Sequence, residues 1–398
     1  MAVAGIIAEY NPFHRGHAWQ ISALRERLGA DTAIVAAMSG NFVQRGDFAL
    51  LRKHARAEMA LSGGVDLVLE LPAPWSSATA ERFAQGGVAL LADTGVVTHL
   101  AFGCECGRLE PLLSAARCLD SEQYEAGLRR FLDEGMTFAA ARQAAVRALA
   151  GNAAAGCLDR PNNNLAVEYL RALAACAPAI EPVALPRVGA DHDSDGPGPY
   201  ASASAVRRRA LAGDEWRPMV PGPVAAILDR EMAAGRAPVA MERCERAVLA
   251  VLRGMDEEEF APYDGGGEGL YHRFYAAVRA GSSLEDILDR AKTKRYPLAR
   301  LRRLLLHSYL GLLPAGPGET PPYLRVLAAN GRGRTLLREM RERACCPVLI
   351  RPADARRLGE AARLFDREAR WTDLYTLAYP ELSQSTPGCE YTQSPVIW

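Results

Sequence analysis

The sequence predicts an α/β protein, a Rossmann-like doubly wound parallel sheet followed by a mainly α-helical C-terminal part. Three observations predict it. Short apolar runs rich in Val, Ile and Leu alternate with helix-patterned segments through the first two hundred residues. Those runs are apolar without alternation, as strands covered on both faces are. After about Ala212 the strand pattern stops, and short helical patterns punctuated by Gly and Pro take over.

Taken in order, Ala2–Ala8, Thr32–Met38, Val65–Leu71 and Val97–Phe102 read as strands. Gly16–Leu28, Leu50–Leu61 and Ser77–Leu91 lie between them with helical spacing, which makes successive βαβ units. A helical segment over Gln123–Ala150 and another over Leu165–Ala175 precede a further strand at Glu181–Leu185. The polar loop Asp191–Pro199 leads to a short helix from about Ser202. The expected division is residues 1–214 and residues 215–398, the second holding Gly/Pro breaks such as Asp264–Gly267 and Pro314–Pro322.

Composition narrows the class. With 49% hydrophobic and 24% charged residues, the chain is ordinary for a globular protein. No apolar stretch approaches the roughly 18–20 residues of a membrane span, so no membrane partner is expected. The N-terminal residues lack a basic segment and a cleavage site, which points to a cytoplasmic protein. Nine cysteines in odd, scattered positions, with none of the usual zinc spacing, fit free thiols and no structural metal. Formal net charge is zero, so a polyanionic partner has to be met by a local basic patch.

The segment that carries most chemistry is Glu9–Ala18, directly after the first strand. His14 and His17 stand three apart at the start of a helix, so both imidazoles can project one way. Gly16 between them is expected to let a ligand approach the backbone. A helix N-terminus adds free N–H groups and a positive dipole end, which together with two imidazoles form a cradle for nucleotide phosphates. Ser39, Gly40, Asn41, Gln44 and Arg45 follow the second strand and leave at the same sheet edge, where Arg45 can hold an anion. Gly103 permits close approach of a base or ribose at the end of the fourth strand. Asn162 or Asn163 offers an amide for an adenine edge or a ribose, and Arg187 can neutralise phosphate. Ser204 and Arg207 open a second helix that can clamp the phosphates from the other side. His54, His99, His272 and His307 are isolated and read as structural. In the second half, Lys292, Lys294, Arg295, Arg300, Arg302 and Arg303 form a run without an acid, with Tyr296 as a stacking face. That combination suits a nucleic-acid backbone and base. Arg332 and Arg334 make a second basic spot.

Assembled, the blocks Gly5–His17, Met38–Asp47, Arg56–Pro72, Phe102–Glu105, Pro161–Leu165, Arg187–Asp193, Ser202–Arg207 and Thr293–Leu306 resemble the tRNA(Met) cytidine acetate ligase family. That family belongs to the nucleotidyltransferase-like superfamily marked by His-x-Gly-His. The resemblance runs through nearly the whole chain. It implies a nucleotidyltransferase-type fold that activates acetate with ATP as acetyl-adenylate, releasing pyrophosphate. The acetyl group then passes to N4 of the wobble cytidine of elongator tRNA(Met), giving N4-acetylcytidine and AMP. Magnesium is expected to escort the triphosphate, and no obligate protein partner is expected. Carried over by residue, the ATP site comprises Ile7, Ala8, Glu9, Tyr10, Asn11, Pro12, Phe13, His14, Arg15, Gly16, His17, Ala18, Trp19 and Gln20, completed by Gly103, Asn162 or Asn163, and Arg187. His14 and His17 take the catalytic role, stabilising charge on the α-phosphoryl group. Three positions depart from the family pattern: Asn164 replaces an apolar residue, Asp191 an aromatic one, and Cys104 a small hydroxyl residue. Two alternatives share these features. A small-molecule adenylyltransferase of the NMN or phosphopantetheine kind has the same histidines but needs no basic helical part. A tRNA-binding protein without catalysis needs no intact phosphate cradle.

Overall fold

The computed structural model describes residues 1–187, 201–265, 269–294 and 296–398. The chain opens with β1 (Val3–Ala8), α1 (Arg15–Leu28), β2 (Ala33–Ser39), the hairpin β3 (Phe42–Val43) and β4 (Asp47–Phe48), and α2 (Lys53–Ser62). Next come β5 (Leu67–Leu71), the one-turn α3 (Ala73–Ser76), α4 (Ala80–Asp93) and β6 (His99–Cys104). Four helices, α5 (Leu109–Leu119), α6 (Glu122–Asp133), α7 (Phe138–Cys157) and α8 (Pro161–Cys176), precede β7 (Glu181–Pro186). The second half runs through α9 (Ala203–Ala212), α10 (Gly222–Ala233), α11 (Glu245–Gly254), α12 (Leu270–Ala280), α13 (Leu284–Ala291) and α14 (Leu298–Leu310). It then returns as β8 (Leu324–Ala329), α15 (Gly331–Arg343), β9 (Val348–Leu349), α16 (Ala362–Thr376), α17 (Cys389–Thr392) and β10 (Val396–Ile397).

The main sheet has the order β10-β8-β5-β2-β1-β6-β7, with β9 also paired to β8. The strands β5, β2, β1, β6 and β7 are all parallel. Successive side chains of the central strands enter opposite cores. Val3, Ile7, Val35 and Ala37 pack with α4, α5 and α8, whereas Ala4, Ile6, Ile34 and Ala36 pack with α1, α2 and α10. This is why those segments read as continuous apolar runs. A third core belongs to the C-terminal helices and takes in Phe42 and Phe48 of the hairpin, which meet Tyr375.

The structure corrects or sharpens three expectations about elements. Strands do not stop at Ala212: β8 is fully buried and pairs antiparallel with β5, so the second half completes the first half's sheet. Its sequence, with Arg325 and two alanines, lacks the Val/Ile run that marks the other strands. The helical segment expected over Gln123–Ala150 divides into α6 and α7 at Gly135 (φ 86°), with Thr137 capping α7. The helix expected from Leu165 begins at Pro161, the N1 position proline favours.

A buried ion cluster ties β8 into place. Lys53 Nζ lies 2.6 Å from Glu70 Oε1 and 3.0 Å from Glu390 Oε2, and Arg325 Nη1 lies 3.3 Å from Glu70 Oε2 and against Glu390. Two cations thus balance two carboxylates, all nearly inaccessible. Burial, then Glu70, pushes the Glu368 carboxyl beside them up to about 8. Replacing Lys53 with Met leaves a buried carboxylate without its cation. The expected loss is about 3–5 kcal/mol of unfolding free energy, read from urea denaturation. Arg325 and Lys53 hold the Glu390 carboxyl well below its ordinary range against the cost of burial. That stabilisation is present above the ordinary carboxylate pKa and is lost as pH falls through the depressed one. An unchanged urea midpoint in the Lys53 variant would show that the cluster is dispensable.

Candidate active site

The strand order reverses between β1 and β6, and a cleft of about 320 Å³ opens at the C-terminal ends of β1, β6 and β7. Open α/β sheets bind ligands at such a switch point. The N-terminal ends of α1, α8 and α9 contribute Gly16, Pro161, Asn162, Ser202 and Ala203 to its lining. Three helix starts therefore face one cleft, a favourable setting for phosphate.

The geometry of the histidines follows from helix capping. His14 is the N-cap of α1, and its Nδ1 accepts from the N–H of Gly16 at 3.0 Å. His17 Nδ1 accepts from the N–H of His14 at 3.2 Å. An imidazole accepting at Nδ1 carries its proton on Nε2 when neutral, so each ring keeps an Nε2–H donor. The rings stack with centroids 3.8 Å apart. Burial first, then Arg187 and Arg207, lower His14 to about 3. Burial and His14 hold His17 well below its ordinary range. Both are therefore neutral donors at neutral pH. Gly16 also has a structural role: a Cβ there would lie 2.8 Å from His14 Cε1, so the glycine makes room for the histidine ring.

The loop before α1 is fixed from below. Tyr10 adopts φ 44°, uncommon for a residue with a side chain, and its ring is buried against Phe13 and His17. Asn11 Oδ1 accepts from Leu50 N at 2.8 Å, and Arg207 Nη1 donates to Asn11 O at 2.7 Å. Arg56, fully buried, donates to the carbonyls of Glu9 and Leu51 and to those of Ser39 and Gly40.

Of the expected ATP residues, Ile7, Ala8, Glu9, Tyr10, Asn11, His14, Gly16, His17, Trp19, Gln20, Gly103, Asn162 and Arg187 line the cleft. Pro12, Phe13, Arg15 and Ala18 do not: Phe13 is core, packed on Gly63, and Arg15 Nε donates outward to Pro218 O. Asn163 is buried, its Oδ1 accepting from the N–H groups of Glu105 and Cys106, so the cleft-lining amide is that of Asn162. Asn162 Oδ1 accepts from Arg187 Nη1 at 2.6 Å. Ser204 and Arg207 do not line the cleft: Ser204 Oγ accepts from Arg207, and the cap of α9 is Ser202. Gln44 and Arg45 line the cleft, but Ser39, Gly40 and Asn41 are buried beneath it. Asn41 spends its amide on Thr372 Oγ1 and Lys53 N. Sequence reasoning missed the apolar walls Phe83, Phe102, Leu165 and Tyr169, which come from three elements, α4, β6 and α8. It also missed Glu105, whose carboxylate holds the N–H groups of Asn162 and Asn163. Asn164 reaches the cleft wall, with its amide engaged by Arg142, Leu158 and Arg160.

The basic run lies closer to this cleft than a separate domain suggests. A Cβ on Gly46 would collide with the backbone of Arg302 and Arg303, so the loop after Arg45 is docked on the first turns of α14. Arg302 and Arg207 both lie close enough to stabilise the Asp47 carboxylate, although burial and Glu242 prevail and push it up to about 6. Lys292 and Lys294 are exposed. Arg300 pairs with Asp264 at 2.9 Å over the Tyr296 ring, which is buried and not a free stacking face. Arg303 is lowered to about 10, by burial and then Arg300. Arg295 and the Asp191–Asp193 segment lie outside the described residues. Arg332, 3.6 Å from Asp31, and Arg334 start α15 at the opposite end of the sheet, remote from the cleft.

Residues 1–388 match the HIGH Nucleotidyl Transferase family. The chain is 34% identical over 414 residues to the tRNA(Met) cytidine acetate ligase of Syntrophomonas wolfei, covering 100% of this chain and 99% of the relative. It is 32% identical to that of Acetivibrio thermocellus, covering 100% of both. The structure of Thermotoga maritima TmcAL bound with alpha-thio ATP superposes with a TM-score of 0.93 at 32% identity, over 100% of this chain and 99% of that one. The apo form of the same protein gives 0.94. The chain belongs to the HIGH nucleotidyl transferases and, among them, to the tRNA(Met) cytidine acetate ligase family.

Proposed function

We propose that this protein acetylates N4 of the wobble cytidine of elongator tRNA(Met) with acetate and ATP. The observation that carries the reading is the pair of neutral imidazoles aimed from a helix start into a cleft at the sheet's switch point, in a chain that matches an ATP-bound relative along its whole length. An acetate oxygen attacks the α-phosphorus, the α–β bridging bond breaks, and pyrophosphate leaves. His14 and His17 donate through Nε2–H to the phosphoryl oxygens as charge builds there. Arg187, the helix starts and Arg45 neutralise the rest. The cytidine N4 then attacks the acetyl carbonyl, the acyl–phosphate bond breaks, AMP leaves and N4 loses a proton. N4 is a weak nucleophile because its lone pair is delocalised, which is why a free carboxylate does not suffice. Among the described residues no cluster of metal-ligating side chains forms a cation site, so magnesium would enter with the triphosphate whose charge it offsets. Residues 1–214 carry activation, and the helices of residues 215–398 carry tRNA binding. The exposed Lys292 and Lys294, with Arg302 at the seam, supply backbone contacts.

Acetate should drive ATP–pyrophosphate exchange without tRNA, while NMN and phosphopantetheine should not. Exchange with either of those in place of acetate would make this a small-molecule adenylyltransferase.

His17→Ala should lower acetyl-adenylate formation by roughly 100-fold or more, the scale of losing one preorganised donor. Because the working imidazoles are neutral, the rate of that step should show no histidine inflection between about pH 6 and 8. A loss of rate as pH rises through that window would mean a protonated imidazole is required.

Replacing Lys292 and Lys294 together with Ala should raise KM for tRNA and flatten the salt dependence by about 0.7–0.9 log units per lost phosphate contact. Exchange with acetate should be untouched. An identical salt slope would move the tRNA surface elsewhere.

A further inference from the structure

Delivery of the acetyl group to cytidine N4 releases a proton, and a group in the cleft has to take it. The histidines are not available. Nδ1 of each ring already accepts a backbone N–H, from Gly16 for His14 and from His14 for His17, and Nε2 carries the ring's hydrogen. Burial first, then the charges around them, holds both rings well below their ordinary range, so neither binds a further proton at neutral pH. The Tyr10 and Tyr169 phenols are raised by burial and stay protonated. The amide and guanidinium side chains of the lining are not bases at neutral pH. Among the described residues that line the cleft, Glu9 is the one carboxylate. A carboxylate opposes the triphosphate that Arg187 and the helix starts attract. Its presence in a phosphate cradle therefore calls for a task.

Glu9 stands at the side of the cleft that meets the basic helix. It follows β1 directly, and Arg56 holds its backbone carbonyl. Its side chain reaches across to the hairpin, where Oε1 accepts from Gln44 N at 3.0 Å. The carboxylate thus lies beside Gln44 and Arg45, which line the cleft, while Gly46 packs on the first turns of α14. One backbone donor orients the group without neutralising it: among the described residues Glu9 forms no ion pair, and Oε2 accepts no hydrogen bond. The Glu9 charge also bears on Tyr169 of the α8 wall.

We propose that Glu9 is the general base that takes the proton from cytidine N4 as the acetyl group is transferred, a role that rests on the reading of the cleft as the site of acetate activation. The N4 lone pair attacks the acetyl carbonyl carbon and the C–N bond forms. Glu9 Oε2 takes one N4 hydrogen, so the weak amine never has to carry a full positive charge. The carbonyl re-forms as the bond from the acetyl carbon to the phosphate oxygen breaks, and AMP leaves with the bonding pair. Glu9 then returns its proton to solvent. The histidines and Glu9 divide the two steps: the neutral rings donate to the phosphoryl oxygens in the first, and the carboxylate accepts from the nucleophile in the second.

The test compares two acceptors for the same intermediate. The full-length protein is loaded with ATP and radiolabelled acetate, with pyrophosphatase present, and chased in a single turnover with saturating tRNA(Met) or with hydroxylamine. Hydroxylamine is a strong, small nucleophile whose attack on an acyl-phosphate needs no protein base, so acetohydroxamate reports activation alone. In Glu9→Gln, tRNA acetylation should fall at least about 100-fold relative to hydroxamate formation, the lower end of what a positioned base contributes. Equal losses with the two acceptors would place Glu9 in activation, as a ligand for magnesium would be, and overturn the proposal. So would tRNA acetylation at the parent rate. Should the amide disturb the loop, Glu9→Asp decides alone: it keeps the base but draws it back by one methylene, so transfer should again fall more than hydroxamate formation, and equal losses would overturn the proposal. A parent protein that forms no hydroxamate from acetate and ATP would overturn the reading of the cleft itself, and the role of Glu9 with it.

Discussion

The arrangement of the cleft depends on one buried cation. Arg56 enters from α2 beneath the C-terminal edge of the sheet and gives its hydrogens to four carbonyls, those of Glu9, Ser39, Gly40 and Leu51. Among the described residues no carboxylate lies within ion-pair distance of it. Burial lowers the guanidinium to about 10, which still leaves it charged at neutral pH. Carbonyl dipoles converging on a cation offset its desolvation, and the fork geometry of arginine lets one side chain serve three separate backbone segments. Those segments are the loop after β1, the loop after β2 and the turn into α2. The position of the imidazoles relative to Gln44 and Arg45 is set by this clasp together with Arg207 on Asn11.

With the loops fixed, the electrostatics of the cleft become coherent. Burial, with Arg187 and Arg207 beside His14 and with His14 and Arg187 beside His17, disfavours protonated histidine. Neutral rings stacked 3.8 Å apart avoid mutual repulsion and keep hydrogen-bond donors where a phosphoryl group would gain charge. The capping box that opens α1 and the chemistry proposed for the site therefore use the same two atoms, Nδ1 of each ring, to fix the tautomer.

Much of this was legible in the sequence. The five parallel strands were visible because burial on both faces forces uniform apolar runs, and the His14–His17 site because its residues are contiguous. What sequence could not show was assembled over distance. The roles of Asn162 and Asn163 are decided by Glu105 some 57–58 residues earlier. The walls Phe83 and Tyr169 look like any helix-core aromatics until the sheet brings them to the cleft. β8 was hidden because its pairing partner, β5, lies more than 250 residues upstream and the carboxylates that compensate its Arg325, Glu70 and Glu390, are distant in sequence. Asn41 looked like a site residue, since its polarity is apparent and its burial is not.

The return of the chain through β8 constrains the proposed reaction. An acyl-phosphate anhydride is open to attack by water, so activation and transfer need neighbouring surfaces and not a diffusing intermediate. β8 fastens the second half to the sheet through β5, and α16 and α14 enclose the β3–β4 hairpin through Tyr375, Tyr309, Phe42 and Phe48. That hairpin carries Gln44 and Arg45 at the cleft and Gly46 against α14. The same four-residue turn thus touches the nucleotide cleft on one side and the basic helix on the other. A tRNA held along Lys292, Lys294 and Arg302 would bring its cytidine to the mouth of the cleft without any large domain rotation. The antiparallel strand at the sheet edge and the short hairpin are two ends of one mechanical constraint, which fixes the distance between the nucleotide cleft and the basic helix.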